Sequence, residues 1–189
     1  MDDVDTLSAA FSQDPFFRFI EPDDQRRLRW MPWFMQRMVA VAEHGGVIDR
    51  EEGGIALWFP PGSDPYGWRS ALRHGLAAMP VRLGPAAYRR FAVAEKDLEA
   101  VELDTSHSWY LGYLAVHPDA QGRGLGRRLL ERGLGRVDAG HEDAHLETNR
   151  AGNVRLYERF GFAVAGECQT RGVLPQWVMS RPRAGAGRD

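Results

Sequence analysis

The sequence predicts an α/β protein, a mixed central sheet with helices packed against it. Three observations predict this. WYLGYLAV at 109–116 is apolar on both alternating faces, as a strand in the middle of a sheet must be. Leu125, Leu129, Leu130, Leu134 and Val137 follow at helical spacing. Earlier, GGVIDREEGGIALWF reads as a β-hairpin with its turn at EEGG.

Residues 3–12 form a short helix, with Val4, Leu7, Ala10 and Phe11 on one face. DPFFRFIEPDD reads as a turn-rich break. Residues 24–43 are helical again, lined by Leu28, Met31, Met35, Met38 and Ala42; Pro32 either kinks this run or starts a second helix. Trp30, Trp33 and Phe34 are either the packing face of that helix or the wall of an acceptor pocket. After the hairpin come two helices over 64–103, one lined by Trp68, Leu72, Leu76 and Met79, the other by Tyr88, Phe91, Leu98 and Val101. In the central strand, alternation puts Trp109, Leu111, Tyr113 and Ala115 on one face and Tyr110, Leu114 and Val116 on the other. AHLETN at 144–149 is a strand, and 152–160 a helix stopped by Gly161 in the left-handed conformation. FAVAGEC and QWVMSR are the last strands. The chain divides into one domain over 1–182, with a helical insertion at 62–106, and a disordered tail at 183–189.

With 189 residues, 43% of them hydrophobic and 26% charged, the chain can bury a full core. A formal net charge of −2 provides no global basic field, so nucleic acid is not an expected partner. Cys168 is the only cysteine, which excludes an intrachain disulfide framework and fits a reducing compartment. MDDVDTLSAAF lacks the basic and apolar regions of a signal peptide, and no apolar run approaches the roughly 20 residues needed to span a bilayer. The expectation is a soluble cytoplasmic protein with no membrane partner and no metal.

HPDAQGRGLGRRLL carries the chemistry. A strand, a glycine-rich turn and a helix place successive N–H groups and the positive end of a helix dipole at one anion site. A Walker A loop fails because Gly126 is followed by Arg127 and Arg128 rather than Lys-Ser/Thr. A dinucleotide fingerprint fails because the spacing is GxGxG and no acidic strand end lies at the required distance.

QGRGLG instead fits the pattern [QR]-x-x-G-x-[GA], and LYERFGF lies downstream of it. On these residues the chain resembles the GCN5-related N-acetyltransferase (GNAT) superfamily over 109–162. AAFSQDP, the LETN…N…YERFGF run and the terminal WVMSR are similar to its puromycin N-acetyltransferase-like branch. The resemblance implies a GNAT fold, with a splayed strand pair in the sheet and helices on both faces. It also implies acetyl-CoA as cofactor: Gln121, Gly122, Arg123, Gly124, Leu125, Gly126 and Arg127 at the pyrophosphate, and the backbone of Leu114, Ala115 and Val116 beside the pantetheine. A strand N–H near Leu114 would stabilise the oxyanion. The superfamily usually opens with a strand before its first helix, and this chain starts almost directly in that helix. Many members carry an asparagine where this chain has Arg150; Asn153, four residues before Tyr157, takes the pantetheine contact instead.

The implied activity is an acyl-CoA-dependent N-acyltransferase that moves acetyl directly to a primary amine of a small molecule, antibiotic-like or aromatic. Tyr157 is the expected acid towards the departing thiolate. The acceptor ammonium must first lose a proton. Glu147 matches a position that serves as base in some relatives; His145, on the same strand face, and a water chain are the alternatives. A protein or peptide N-acetyltransferase, an O-acetyltransferase and a non-catalytic acyl-CoA sensor stay open. A homodimer is common in the superfamily.

Overall fold

The structure is a computed structural model and describes residues 1–183. Helices α1 (Asp3–Phe11), α2 (Pro15–Ile20) and α3 (Asp24–Gly45) precede a hairpin of β1 (Val47–Glu51) and β2 (Gly54–Phe59). The connecting segment holds α4 (Trp68–Arg73), a 3-10 turn at Leu76–Ala78, α5 (Met79–Leu83) and α6 (Pro85–Glu99). Then come β3 (Ser108–Val116), a 3-10 turn at Pro118–Ala120, α7 (Leu125–Ala139), β4 (Asp143–Thr148), α8 (Ala151–Glu158), β5 (Ala163–Thr170) and β6 (Leu174–Arg181). No strand precedes α1 among the described residues.

The six strands form one mixed sheet in the order β1-β2-β3-β4-β6-β5. Only β3 and β4 run parallel, and they pair over just Ser108–Asp143, Trp109–Ala144 and Tyr110–His145. Beyond Tyr110 the two strands diverge, giving the splayed pair. Leu7, Phe17, Ile20, Met31 and Met35 of α1–α3 pack on one face, with Ile55, Leu57 and Phe59 of β2. Leu129, Leu130, Leu134 and Val137 of α7 and Tyr157 of α8 cover the other. There Gly133 lies against the Trp58 indole, where a Cβ would collide with the ring.

Four elements depart from the sequence reading. DPFFRFI is helix rather than turn: Asp14 caps α2 by accepting from the Phe16 N–H at 2.9 Å, and Pro15 occupies the first helical position. α3 is a single helix through Pro32. Pro32 leaves the Leu28 carbonyl without its helical donor, on a side where both residues are exposed and water can replace it. The stripe expected from Trp68 and Leu72 is not buried; the two are 69% and 65% exposed, because Gly75 at φ +74° ends the helical run. Trp30 and Phe34 are core, as packing requires. Arg183 donates its N–H to Asp143 at 2.7 Å, so the tail expected from 183 starts later; the rest of it lies outside the described residues.

The fourth departure is a β-bulge. Leu57 pairs with Tyr113 and Trp58 with Leu111, so Gly112 is an extra residue in β3. A Cβ there would lie 2.9 Å from the Phe59 ring. The bulge breaks strict alternation. Trp109, Leu111 and Leu114 face the α7 layer, whereas Tyr110, Tyr113 and Ala115 face the α1–α3 layer. Tyr110 and Tyr113, three apart, thereby look into the same space.

Candidate active site

The glycine turn joins β3 to α7. Gly122 and Gly124 adopt φ of +77° and +73°, which glycine reaches without strain. A Cβ on Gly122 would meet nothing within 4 Å, so the requirement there is backbone conformation, not room inside the protein. Gly124 is the N-cap of α7 and brings no side-chain acceptor, which leaves the first helical N–H groups for an outside anion. Gly126 has ordinary helical geometry, with Val116 3.5 Å from where a Cβ would stand. The loop's cations fold onto the protein: Arg123 reaches the Asp119 carbonyl at 3.3 Å, Arg128 the Arg123 carbonyl at 3.0 Å, and Arg127 the Glu131 carboxylate at 2.7 Å. Gln121 donates to the Val116 carbonyl at 3.4 Å. Leu125 is buried beneath the loop.

Leu114, Ala115 and Val116 pair with Ala56, Ile55 and Gly54 on one edge only. Their other edge lies past the end of the β3–β4 pairing and can accept an added extended chain. These features fit a pyrophosphate-bearing ligand whose arm runs along β3. Asn153 donates to the Thr148 hydroxyl at 3.2 Å, which ties the start of α8 to the end of β4.

Tyr157 belongs to α8, in the layer opposite α1–α3, and is 7% exposed. Its hydroxyl pKa is pushed up to about 12, first by burial and then by the Asp14 carboxylate. Asp14 sits between α1 and α2, so the charge of one layer reaches a phenol of the other. Arg150 clasps Asp14 at 3.2 Å and the Gln13 carbonyl at 2.9 Å. Burial still raises the Asp14 pKa.

On the α1–α3 side, Glu147 accepts from the Tyr110 hydroxyl at 2.6 Å. Burial raises the Glu147 pKa and that hydrogen bond partly offsets it. His145 lies flat on Tyr110, ring centroids 4.9 Å apart, with Nδ1 2.8 Å from the Ser108 hydroxyl. Burial pushes its pKa down to about 4, so it is neutral and a weak base beside Glu147. Sequence reasoning missed Tyr110, Tyr113 and Glu95 as site residues. Tyr66 meets Tyr110 edge-on at 6.1 Å. Glu95 of α6 carries a carboxyl pushed up to about 7 by burial, by Glu147 and by Glu99. Gly112, an isolated glycine inside a strand pattern, was the available signal for the two β3 tyrosines; Glu95 gave none.

Comparison with known proteins agrees with this architecture. The Acetyltransferase (GNAT) domain family matches residues 87–164. An uncharacterised N-acetyltransferase of Schizosaccharomyces pombe is 32% identical over 167 residues, covering 83% of this chain and 68% of the relative. The crystal structure of histone acetyltransferase HPA2 and related acetyltransferase from Corynebacterium glutamicum is 27% identical, covers 98% of this chain and 92% of its own, and superposes with a TM-score of 0.65. Arylalkylamine N-acetyltransferase 2 from Aedes aegypti, 15% identical, covers 97% of this chain and 94% of its own, and shares the fold with a TM-score of 0.68. The six-stranded mixed sheet with its helices is the GNAT fold. The chain belongs to the GNAT family of acetyltransferases.

Proposed function

We propose that the protein transfers acetyl from acetyl-CoA directly to a primary amine of a small molecule. The observation that carries this reading is the segment over 62–106. From it, the Tyr66 ring meets Tyr110, which bonds Glu147, and Glu95 of α6 lies within reach of the Glu147 charge. That arrangement suits a compact acceptor better than an extended chain. The AAFSQDP and WVMSR motifs, similar to the puromycin N-acetyltransferase-like branch, point the same way.

Acetyl-CoA supplies the activated acetyl thioester. The α7 N–H groups with Gln121 to Arg127 would hold its pyrophosphate, the Leu114–Val116 edge would orient its arm, and Asn153 would contact that arm. Glu147 takes the proton from the acceptor ammonium, and Tyr110 keeps the carboxylate aimed. Tyr157 remains a phenol at neutral pH, since its pKa is pushed up to about 12. Full proton transfer to a thiolate whose acid has a pKa near 8.5 is uphill by roughly 5 kcal/mol. Tyr157 therefore serves the departing sulfur as a hydrogen-bond donor, and water completes the protonation.

A second reading, acetylation of a protein lysine, is favoured by the histone acetyltransferase description of the Corynebacterium relative. Thiol release from acetyl-CoA across aminonucleosides, alkyl and arylalkyl amines, polyamines and a histone-tail peptide tests both. Turnover with small amines supports the proposal. Turnover with the peptide alone favours the second reading, and binding of acetyl-CoA with no turnover makes the protein a sensor.

A further inference from the structure

The acceptor side of the splay contains more acid than proton removal requires. α6 is fixed above the sheet by Gln176 of β6, which is 2% exposed and donates to the Ala94 carbonyl at 3.1 Å. Gln176 also bonds the Thr170 hydroxyl at 3.0 Å, so its amide is locked. Glu95 follows Ala94 directly. On β6, Val178 lies two residues from Gln176 and pairs with Glu147, so Glu147, Val178 and Gln176 share the sheet face under α6. α6 thus lies over the face that carries Glu147, near enough for the Glu147 charge to raise the Glu95 carboxyl.

Aromatic rings close the remaining sides. Tyr66 lies 6.4 Å from Phe59 and 6.1 Å from Tyr110, centroid to centroid. Tyr113 stands edge-on to Phe11 at 5.5 Å. Burial, the largest cause, and the Glu147 carboxylate raise the pKa of the Tyr66, Tyr110 and Tyr113 hydroxyls, so they are neutral donors and acceptors. The charges that reach Glu95 are those of Glu147 and Glu99, both of its own sign. A largely desolvated carboxylate beside like charge is costly. A cation arriving between Glu95 and Glu147 removes that cost, and the tyrosine and phenylalanine faces attract it as well.

We propose that Glu95 is a specificity-determining residue, which with Glu147, Phe59, Tyr66, Tyr110 and Tyr113 forms a chamber selecting acceptors that arrive as primary ammonium cations. This rests on the acetyl-transfer reading for its purpose, though not for its binding chemistry. Neutral amines of the same shape, such as anilines, gain nothing from Glu95.

Calorimetric titration of the protein with phenethylamine, butylamine and aniline at about pH 7.5, where only the first two are cations, tests it. Glu95→Gln should weaken binding of both cations by about tenfold or more, the value of a charge-assisted hydrogen bond. Glu95→Asp should keep part of it, and Glu99→Gln, further along α6, should change it less than about twofold. Binding of aniline should be the same with and without Glu95. Weakening of cations and aniline alike in folded Glu95→Gln, equal effects of Glu95→Gln and Glu99→Gln, or failure of both cations to bind the unaltered protein would overturn the proposal. Thiol release run in parallel separates the two claims. Binding that depends on Glu95 without release from any amine refutes acetyl transfer and leaves the cation chamber standing. Release that ignores Glu95 does the reverse.

Discussion

Removing the Glu95 carboxyl should make the protein more stable, by an amount that grows as pH rises from about 4.5 to about 7. The folded-state pKa is raised from 4.5 to about 7, with burial as the largest cause. A raised carboxyl binds more protons folded than unfolded, so its contribution to stability declines as pH climbs from the unfolded value through the folded one. Each tenfold in proton affinity is worth about 1.4 kcal/mol, so the full effect is about 3 kcal/mol as an upper value. Glu95→Gln keeps shape and hydrogen-bonding atoms and discards the titration. Relative to the unaltered protein, the variant should therefore gain up to about 3 kcal/mol between about pH 4 and about pH 8. Urea melts followed by circular dichroism at both pH values, with the slope m checked for constancy, measure this directly. An effect of the same size at both pH values, or a variant less stable at the higher pH, would refute the claim that Glu95 is buried beside like charge.

Tyr157→Phe should lower turnover about tenfold to a hundredfold, the value of a hydrogen bond to a charged group, with acetyl-CoA affinity in direct titration nearly unchanged. Gly124→Val forces a β-branched residue to leave φ +73°, so the turn must rebuild and calorimetry should detect no acetyl-CoA binding while the fold persists. Glu147→Gln should remove the acid limb of the kcat/KM profile, which in the unaltered enzyme falls as pH drops through a carboxyl range raised by burial; persistence of that limb would move the base elsewhere. Gly133→Ala drives a methyl into the Trp58 indole and should cost about 1–3 kcal/mol or more, read as a thermal midpoint several degrees lower.

Local chemistry made much of this molecule readable from sequence. The Gly122–Gly124 turn, the Gly161 stop at φ +85° and the hairpin turn at Gly53 are positions where backbone conformation dictates the residue. Tyr157, Glu147 and the loop residues follow from the resemblance that QGRGLG and LYERFGF carry, and the structure brings Glu147 to Tyr110 and Tyr157 within the influence of Asp14. Long-range convergence was not readable. Glu95 and Tyr66 lie between β2 and β3, and only tertiary packing brings α6 over β6 and the Tyr66 ring onto Tyr110. The bulge at Gly112 defeated alternation because one extra residue inverts every side chain after it. α2 was missed although Asp14-Pro15 is a helix-start signal, since the aromatic run after it is too short for periodicity to show.

Only three residue pairs form the β3–β4 ladder between the sheet's two halves. A cosubstrate laid along β3 would bridge them as a seventh strand would, and a ligand present at about a hundred times its Kd adds about 2.7 kcal/mol to folding. Such a protein's lifetime would then follow its fuel. When such a ligand runs low, the halves would be less firmly seamed and the chain more open to proteases.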